Sequence, residues 1–309
     1  MKKHYNKRWL EQRWDKRTSL HGWHTSKKRG RSMMKVIQGT FRQIPYWKLR
    51  GRFHSCGYRD QEVAKYIGIG RDTMSGRMQG HNPWTSAEIT AMCDSLVINM
   101  GTLKQNTVRS MLLAGKEANQ RGHLVVFDPV GVGASRFRKE TAAKLLKQIH
   151  FNVIRGNISE IKTLYEGSDD GYGVDAKKDD AVTEDNLEYV IQMAKNMAKK
   201  TKAVIVITGK TDLVTDGQQI YLIDNGVLDM SRITGTGCML DGVIAGFIGA
   251  NPDQILEAVT TAVSAMGICG EYAKEKAEGT GTLKVHLMDA MSNMNAEWME
   301  RSSQIESKC

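Results

Sequence analysis

A glycine-rich segment in front of a predicted helix is the strongest candidate for chemistry in the sequence. Residues 234–238 read Thr-Gly-Thr-Gly-Cys, and an apolar stretch with helical character begins near Cys238. Free backbone N–H groups and the dipole at a helix start bind anions, and glycines let a ligand approach the backbone. Gly235, Thr236, Gly237 and Cys238 are therefore predicted to form an anion hole for a transferring phosphoryl group. The alternative is a glycine-rich turn without a ligand, and the sequence has no GxxxxGK(S/T) pattern of a Walker-type loop.

Cys238 occupies the position in this segment where a side chain feels the helix dipole most strongly. The dipole favours a thiolate over a thiol, so Cys238 is a candidate base or nucleophile. The alternative is that Cys238 serves as a small buried apolar residue, because free cysteines are often buried.

Polar residues also follow two predicted strands. Asn157 and Glu160 are three residues apart at a predicted helix start, so their side chains can share one face. Glu160 and Asp128 are candidates to hold Mg²⁺, directly or through water. Alternatively, Asn157 caps the helix and Glu160 completes a capping box, and the role of Asp128 is equally open. Arg155 is either a clamp for a phosphate or a solvated charge at a strand end.

The pattern of apolar residues predicts the elements that position these side chains. Strands and helices alternate from about residue 94, which is typical of an α/β fold with a mostly parallel sheet. Ligands bind such sheets beyond the carboxyl ends of the strands. The segments 128–134, 155–160, 208–210 and 234–238 are therefore predicted to meet in one cleft. The predicted strands cover 94–100, 123–128, 151–154 and 203–207. The predicted helices cover 106–121, 140–149, 187–199, 238–248, 255–273 and 283–293. A hairpin is predicted over 218–223, with its turn at Asn225-Gly226.

Charge is distributed unevenly along the 309 residues. The chain carries a net charge of +10, but residues 1–90 carry +14 and residues 91–309 carry −4. Five of the six tryptophans also lie before residue 91. We predict an atypical basic segment over 1–85, a catalytic core over 86–290, and a helix end and tail over 291–309. Lysine and arginine with interleaved aromatic residues are typical of segments that bind nucleic acid. No nucleic-acid-binding motif accompanies them here, so we favour the interpretation that this segment is an extension that binds no nucleic acid.

Composition excludes several classes of protein. The five cysteines contain no CxxC pair, which disfavours a disulfide framework or a zinc ribbon and favours a reducing compartment. The longest apolar stretch, residues 243–250, is far shorter than the ~20 residues of a membrane span. The first residues lead into no apolar run of the kind found in secretory signals. We expect a cytoplasmic protein with no membrane partner.

Five ordered motifs resemble the hydroxyethylthiazole kinases of thiamine salvage. The resemblance covers about residues 86–290 and is carried by residues 95–103, 128–134, 153–160, 173–175 and 233–240. It implies a ribokinase-like three-layer α/β fold, with a central mostly parallel sheet flanked by helices. It also implies ATP-dependent phosphorylation of the hydroxyl of 4-methyl-5-(2-hydroxyethyl)thiazole by a homotrimer whose sites lie between subunits.

The resemblance also implies a role for individual residues. Arg155 and Thr208 resemble the positions that bind ATP, and Gly235 resembles the position that binds the substrate. Asp128 and Glu160 resemble the acidic pair near Mg²⁺ and the phosphates. Cys238 stands where related sugar kinases carry an aspartate base.

The first 90 residues depart from this family. The family's His-x-Ile-Thr-Asn-like segment is absent from the sequence, and only residues 65–74 resemble its next turn, which would make Met74 the methionine that contacts the thiazole. This departure puts the substrate pocket and the trimer in doubt more than ATP binding. Two alternatives stay open: a kinase of a related small alcohol such as a hydroxymethylpyrimidine, and an impaired kinase-like protein whose basic segment binds nucleic acid.

Overall fold

The structure is a computed structural model that describes residue 54 and residues 57–79, 81–82, 84–167 and 186–308. The motif at 173–175 and most of the basic segment lie outside the described residues. The chain divides after Thr85 into two units, which are described separately. In the first unit, helix α1 (Asp60–Ile67) packs on helix α2 (Arg71–Met78). Gly68 ends α1 in the left-handed conformation, at a φ of 77°, which favours glycine.

A seven-stranded sheet forms the centre of the second unit, with the strands in chain order. The first four strands are parallel, and the last three join antiparallel to their neighbours. The strands are β1 (Ser95–Asn99), β2 (Leu124–Asp128), β3 (Val153–Asn157), β4 (Val204–Thr208), β5 (Asp212–Thr215), β6 (Ile220–Ile223) and β7 (Ile305–Lys308).

Helices cover both faces of this sheet and create two hydrophobic cores. Alternate strand residues point to opposite faces, so Phe127 joins one core while its neighbour Val126 joins the other. The first core lies under the helices between β1 and β4, and the second under the helices that follow β6. The helices are α3 (Ser86–Thr90), α4 (Gln105–Gln120), α5 (Arg136–Gln148), α6 (Ile158–Glu166), α7 (Leu187–Thr201), α8 (Thr236–Ala250), α9 (Ile255–Lys276), α10 (Thr280–Asn293) and α11 (Ala296–Ser302).

The predicted α/β class with helices on both sides of the sheet is confirmed, and two local predictions need correction. The hairpin joins β5 to β6, so its turn lies at residues 216–219 rather than at Asn225-Gly226. Asn225 and Gly226 instead bind the Glu271 carboxylate of α9 through the Asn225 side chain and the Gly226 N–H. Residues 291–309 contain more than a helix end and a tail, because α11 and β7 both lie there.

Of the helices that the structure describes, none combines the length and the apolar character that a membrane span requires.

Candidate active site

The register of the parallel strands brings polar residues to one edge of the sheet. Asn99 pairs with Asp128 at the ends of β1 and β2, and Asn157 pairs with Thr208 at the ends of β3 and β4. Parallel strands end at the same edge, so side chains far apart in sequence become neighbours there. Helix α8 packs against β1 and β2 and carries a further polar residue, Asp241, to this edge.

A fully buried pair of carboxylates lies at the centre of this edge. Asp128 and Asp241 both have 0% of their surface exposed. Arg155, the middle residue of β3, is their counter-charge: its Nη1 atom lies 3.3 Å from Asp128 Oδ2 and 3.9 Å from Asp241 Oδ1. Buried charges are tolerated only when they are paired. Arg155 therefore stabilises the cluster that it joins, which excludes the interpretation of Arg155 as a merely solvated charge.

Arg155 also reaches the two neighbouring segments predicted to face the cleft. Its Nη2 atom donates to Thr208 Oγ1 at 3.2 Å. A Cβ atom on Gly237 would lie 2.5 Å from the same nitrogen, so only glycine fits at that position without displacement of the guanidinium. With its contact to Asp128, all four predicted segments thus meet at Arg155.

Asn99 connects the carboxylates to Cys238. Its Nδ2 atom donates to Asp128 Oδ2 at 2.7 Å and to Cys238 Sγ at 3.2 Å, and lies 3.5 Å from Asp241 Oδ2. The Gly101 N–H donates to Asn99 Oδ1 at 2.7 Å, which fixes the orientation of the amide. Asn99 therefore presents its N–H₂ group to the cluster and its oxygen to the backbone.

Cys238 is exposed, so it is not the small buried residue of the alternative interpretation. It lies in the first turn of α8, three residues before Asp241, and the two side chains share one helix face. Gly235 is the N-cap of α8 at a φ of 99°, where glycine is favoured. The Thr236 hydroxyl donates to the Met230 and Ile233 carbonyls, so its side chain anchors the helix start.

Glu160 completes a capping box with Asn157, which is the alternative interpretation of this pair. Its Oε2 accepts from the Asn157 N–H at 2.9 Å, and Asn157 Oδ1 accepts from the Glu160 N–H at 2.9 Å. Its Oε1 accepts from the Gly131 N–H at 2.8 Å and so holds the loop after β2. Both carboxylate oxygens of Glu160 are therefore used by backbone donors, and the segment 128–134 is tied to the start of α6.

Burial shifts the titration of two carboxyl groups here. The pKa of Asp128 is raised to about 8, mainly by burial and then by the neighbouring carboxyl of Asp241, while Arg155 opposes the shift. Near neutral pH and without a cation, the carboxylate pair therefore retains a proton. Burial also raises the pKa of Asp212, the first residue of β5, to about 7, although the Gly209 N–H donates to its carboxylate at 2.8 Å.

The donor atoms at this edge fit a divalent cation. The ligand atoms of Asp128, Asp241 and Cys238 lie within 4.8 Å of one another. The Oδ1 atoms of both aspartates are buried and have no hydrogen-bond partner in the described part of the chain. Carboxylate oxygens are the ligands that Mg²⁺ prefers, and unpartnered buried carboxylate oxygens are costly unless a proton or a cation satisfies them.

Sequence reasoning missed Asn99 and Asp241. Asn99 ends an apolar strand, and Asp241 is an isolated acidic residue inside an otherwise apolar helix. An acidic residue in such a helix is a signal that could have found Asp241. The remaining predicted residue, Met74, lies in helix α2 of the other unit, where its side chain is buried.

Known proteins are similar to this chain over most of its length. The sequence matches the hydroxyethylthiazole kinase family over residues 78–297. It is 48% identical to a hydroxyethylthiazole kinase of Clostridium acetobutylicum over 223 residues, which are 71% of this chain and 82% of the relative. It is 43% identical to that of Clostridium beijerinckii over 223 residues, which are 72% of this chain and 80% of the relative.

A solved structure supports the fold independently. The hydroxyethylthiazole kinase protein of Pyrococcus horikoshii OT3 superposes with a TM-score of 0.65 at 30% identity, over 74% of this chain and 83% of that chain. The match confirms the ribokinase-like α/β fold predicted from the sequence motifs. With the family match, which spans more than two thirds of the sequence, it establishes that the chain belongs to the hydroxyethylthiazole kinase family.

Proposed function

We propose that this protein phosphorylates the hydroxyl of 4-methyl-5-(2-hydroxyethyl)thiazole with ATP, in thiamine salvage. The observation that carries the proposal is the start of α8, where the glycines and Cys238 lie beside the partly buried Arg155. The relatives in the two clostridia, which carry the name of this enzyme, support the same reaction. A hydroxymethylpyrimidine-type kinase and an impaired kinase with a nucleic-acid-binding segment are alternatives that no contact in the described residues favours.

Phosphoryl transfer requires alignment and charge neutralisation more than covalent chemistry. The backbone N–H groups of residues 235–238 would receive the negative charge on the transferring group, since they lie at the start of a fifteen-residue helix. Arg155 and Thr208 would bind ATP phosphates, and their mutual hydrogen bond keeps both side chains in the cleft. Gly235 would lie against the substrate, because it is the cap of the same helix.

Asp128 and Asp241 would hold Mg²⁺, directly or through water. Mg²⁺ would neutralise phosphate oxygens and help to align the nucleotide. Binding of the cation requires that the carboxylate pair lose its proton, so the raised pKa of Asp128 makes the affinity rise with pH. Glu160 would contribute through water at most, because backbone N–H groups already occupy both of its oxygens.

Cys238 would lie next to the substrate hydroxyl. Its exposed sulfur accepts a hydrogen bond from Asn99, which holds the sulfur at the start of α8. A thiolate could take the hydroxyl proton late in the transfer, when the alcohol has become more acidic. Asn99 would keep the sulfur in place during that step, because its own amide is fixed by the Gly101 N–H.

The assembly and the substrate pocket belong to the same proposal. We infer a homotrimer with sites between subunits and a cytoplasmic location, both from the resemblance to the family. Met74 is the residue of this chain that best fits the family's thiazole-contacting methionine.

Product analysis tests the reaction directly. The purified full-length chain is incubated with Mg²⁺, ATP and either the thiazole or a hydroxymethylpyrimidine, and the products are identified by mass spectrometry. Formation of the thiazole phosphate, with little pyrimidine phosphate, is expected. Exclusive formation of the pyrimidine phosphate would replace the substrate assignment, and absence of either product would contradict the proposed reaction.

A further inference from the structure

Arg138, on the first turn of α5, binds two loops at the edge of the sheet. Its Nη1 atom donates to the Met100 and Val130 carbonyls, each at 2.7 Å, and its Nη2 atom donates to the Gly101 carbonyl at 2.9 Å. All three acceptors are neutral backbone oxygens, in the loops that directly follow β1 and β2. A single guanidinium thus fixes the separation of these loops, which a lysine ammonium does not reproduce because it lacks the planar fork.

The loops that Arg138 binds also position Asn99 and Asp128. The Met100 N–H donates to the Asp128 carbonyl at 3.0 Å, which joins the end of β1 to the end of β2. The Gly101 N–H donates to Asn99 Oδ1 at 2.7 Å. A Cβ atom on Gly101 would lie 2.9 Å from this oxygen, so the close approach requires glycine. The position of the Gly101 peptide therefore determines the orientation of the Asn99 amide.

A continuous series of contacts leads from Arg138 to the reacting groups. Arg138 holds Gly101, Gly101 orients Asn99, and Asn99 Nδ2 donates to Asp128 Oδ2 and Cys238 Sγ. Hydrogen bonds of this length between fixed partners hold an active group within a few tenths of an ångström, and misplacement by about 1 Å can cost about 100-fold in rate.

We infer that Arg138 is a positioning residue for phosphoryl transfer and acts by orienting the Asn99 amide through the 100–101 backbone. This inference rests on the proposed kinase function. Arg138 itself touches none of the groups assigned to the substrate, so its replacement changes turnover and leaves the affinity for ATP nearly unchanged.

The test is a double-mutant cycle between Arg138 and Asn99. Arg138→Ala and Asn99→Ala are each expected to lower kcat by about 10- to 100-fold, with the KM for ATP changed by less than about threefold. When Arg138→Ala is added to Asn99→Ala, kcat should fall by a further factor of less than about three, because the Asn99 amide that Arg138 positions is already absent. Arg138→Lys provides a milder change if the alanine variant does not fold, and Arg136→Ala on the exposed side of the same helix is the matched control.

A second measurement does not depend on kinase activity. The rate of alkylation of Cys238 by iodoacetamide, followed on its peptide by mass spectrometry, reports the Asn99 hydrogen bond to the sulfur. Arg138→Ala and Asn99→Ala should slow alkylation by similar factors, with no further change when the two are combined. Arg138→Lys should slow alkylation by a smaller factor, whereas Arg136→Ala should match the wild type.

The two readouts separate the two hypotheses. A wild-type protein that does not phosphorylate the thiazole contradicts the proposed function, and the alkylation rates still test the positioning role. Effects on kcat that multiply in the double variant, or an Arg138→Lys protein with the turnover and alkylation rate of the wild type, would overturn the inference about Arg138.

Discussion

A Cβ atom on Gly237 would lie 2.5 Å from Arg155 Nη2, so the first turn of α8 packs directly on the guanidinium. Glycine at this position is therefore a requirement of the cleft. Gly242, on the same helix, has open space on its side-chain side: outside the backbone of its own helix, no atom of the described residues lies within 4 Å of where a Cβ would be. The two glycines form a matched pair for mutation.

Gly237→Ala should displace the Arg155 guanidinium and weaken ATP binding by about 10-fold, since charge-assisted hydrogen bonds contribute about 1.5–3 kcal/mol. Gly242→Ala should leave ATP binding unchanged and raise the free energy of unfolding by about 0.5–1 kcal/mol, because alanine is favoured inside helices. Calorimetric titration with Mg²⁺ and ATP measures the binding. Equal ATP affinity in both variants would refute the assignment of Arg155 to the nucleotide.

Cys238→Ala should lower kcat by about 100-fold and change the ATP dissociation constant by less than about threefold. The reason is that general-base groups contribute about 10²- to 10⁴-fold to rate and act on the acceptor hydroxyl rather than on the nucleotide. Cys93→Ala is the control, because Cys93 is an exposed free cysteine that follows α3 and whose thiol donates to the Ile89 carbonyl of that helix. Turnover of Cys238→Ala equal to that of Cys93→Ala would remove Cys238 from the mechanism.

Asp241→Asn should raise stability and weaken cation binding. The substitution removes one of two carboxylates that are buried side by side, so we expect Tm to rise by about 2–4 °C, which corresponds to about 1 kcal/mol in a protein of this size. The same loss of charge should raise the Mn²⁺ dissociation constant, measured by electron paramagnetic resonance, by about 10-fold. Asp289→Asn, on the exposed side of α10, controls for loss of a surface carboxylate. Unchanged Mn²⁺ affinity would exclude Asp241 as a ligand.

Asp212→Asn should alter the pH dependence of stability. The folded protein raises the pKa of Asp212 to about 7, so the protonated form stabilises the fold. This contribution is complete below pH 4 and is lost as the pH rises to about 7, because over this range the unfolded state releases the proton that the folded state still holds.

An asparagine keeps the hydrogen bond from the Gly209 N–H without a charge. Urea unfolding should therefore show equal stability of Asp212→Asn and wild type at pH 4, and an advantage of about 1 kcal/mol for the variant at pH 8. A difference that does not depend on pH would show that burial does not shift this carboxyl group.

The elements with long apolar runs could be predicted from the sequence. The predicted segments match six elements within about three residues: strands β1, β2 and β4 and helices α4, α7 and α9. The strands are recognisable because a strand covered by helices on both faces requires consecutive apolar residues. The shorter antiparallel strands were harder to predict. The Asn225-Gly226 pair is typical of a hairpin turn, yet here it packs on α9, where a Cβ atom on Gly267 would lie 2.6 Å from the Asn225 backbone.

The sequence predicts which segments meet at the sheet edge, but it does not predict that Asn99 and Asp241 lie at the centre of the site. The rule that ligands bind beyond the carboxyl ends of parallel strands places Asp128, Arg155 and Thr208 at one edge, and the structure brings them together. Asp241 could not be found in this way, because it lies in a helix and reaches this edge through a contact with Asn99, 142 positions away. Asn99 does end a strand, but the sequence does not show that its amide contacts Asp128, 29 positions away. The capping pattern of Asn157 and Glu160 could be recognised locally, since both partners lie within one helical turn.

The release of ADP by the purified full-length chain tests the central claim most directly. With Mg²⁺ and ATP present, the rate is measured with and without 4-methyl-5-(2-hydroxyethyl)thiazole. A rate that rises and saturates with the thiazole is predicted and would establish the kinase. ATP that binds without thiazole-dependent ADP release would contradict the proposed function and would mean that this chain retains a nucleotide site without a working acceptor site.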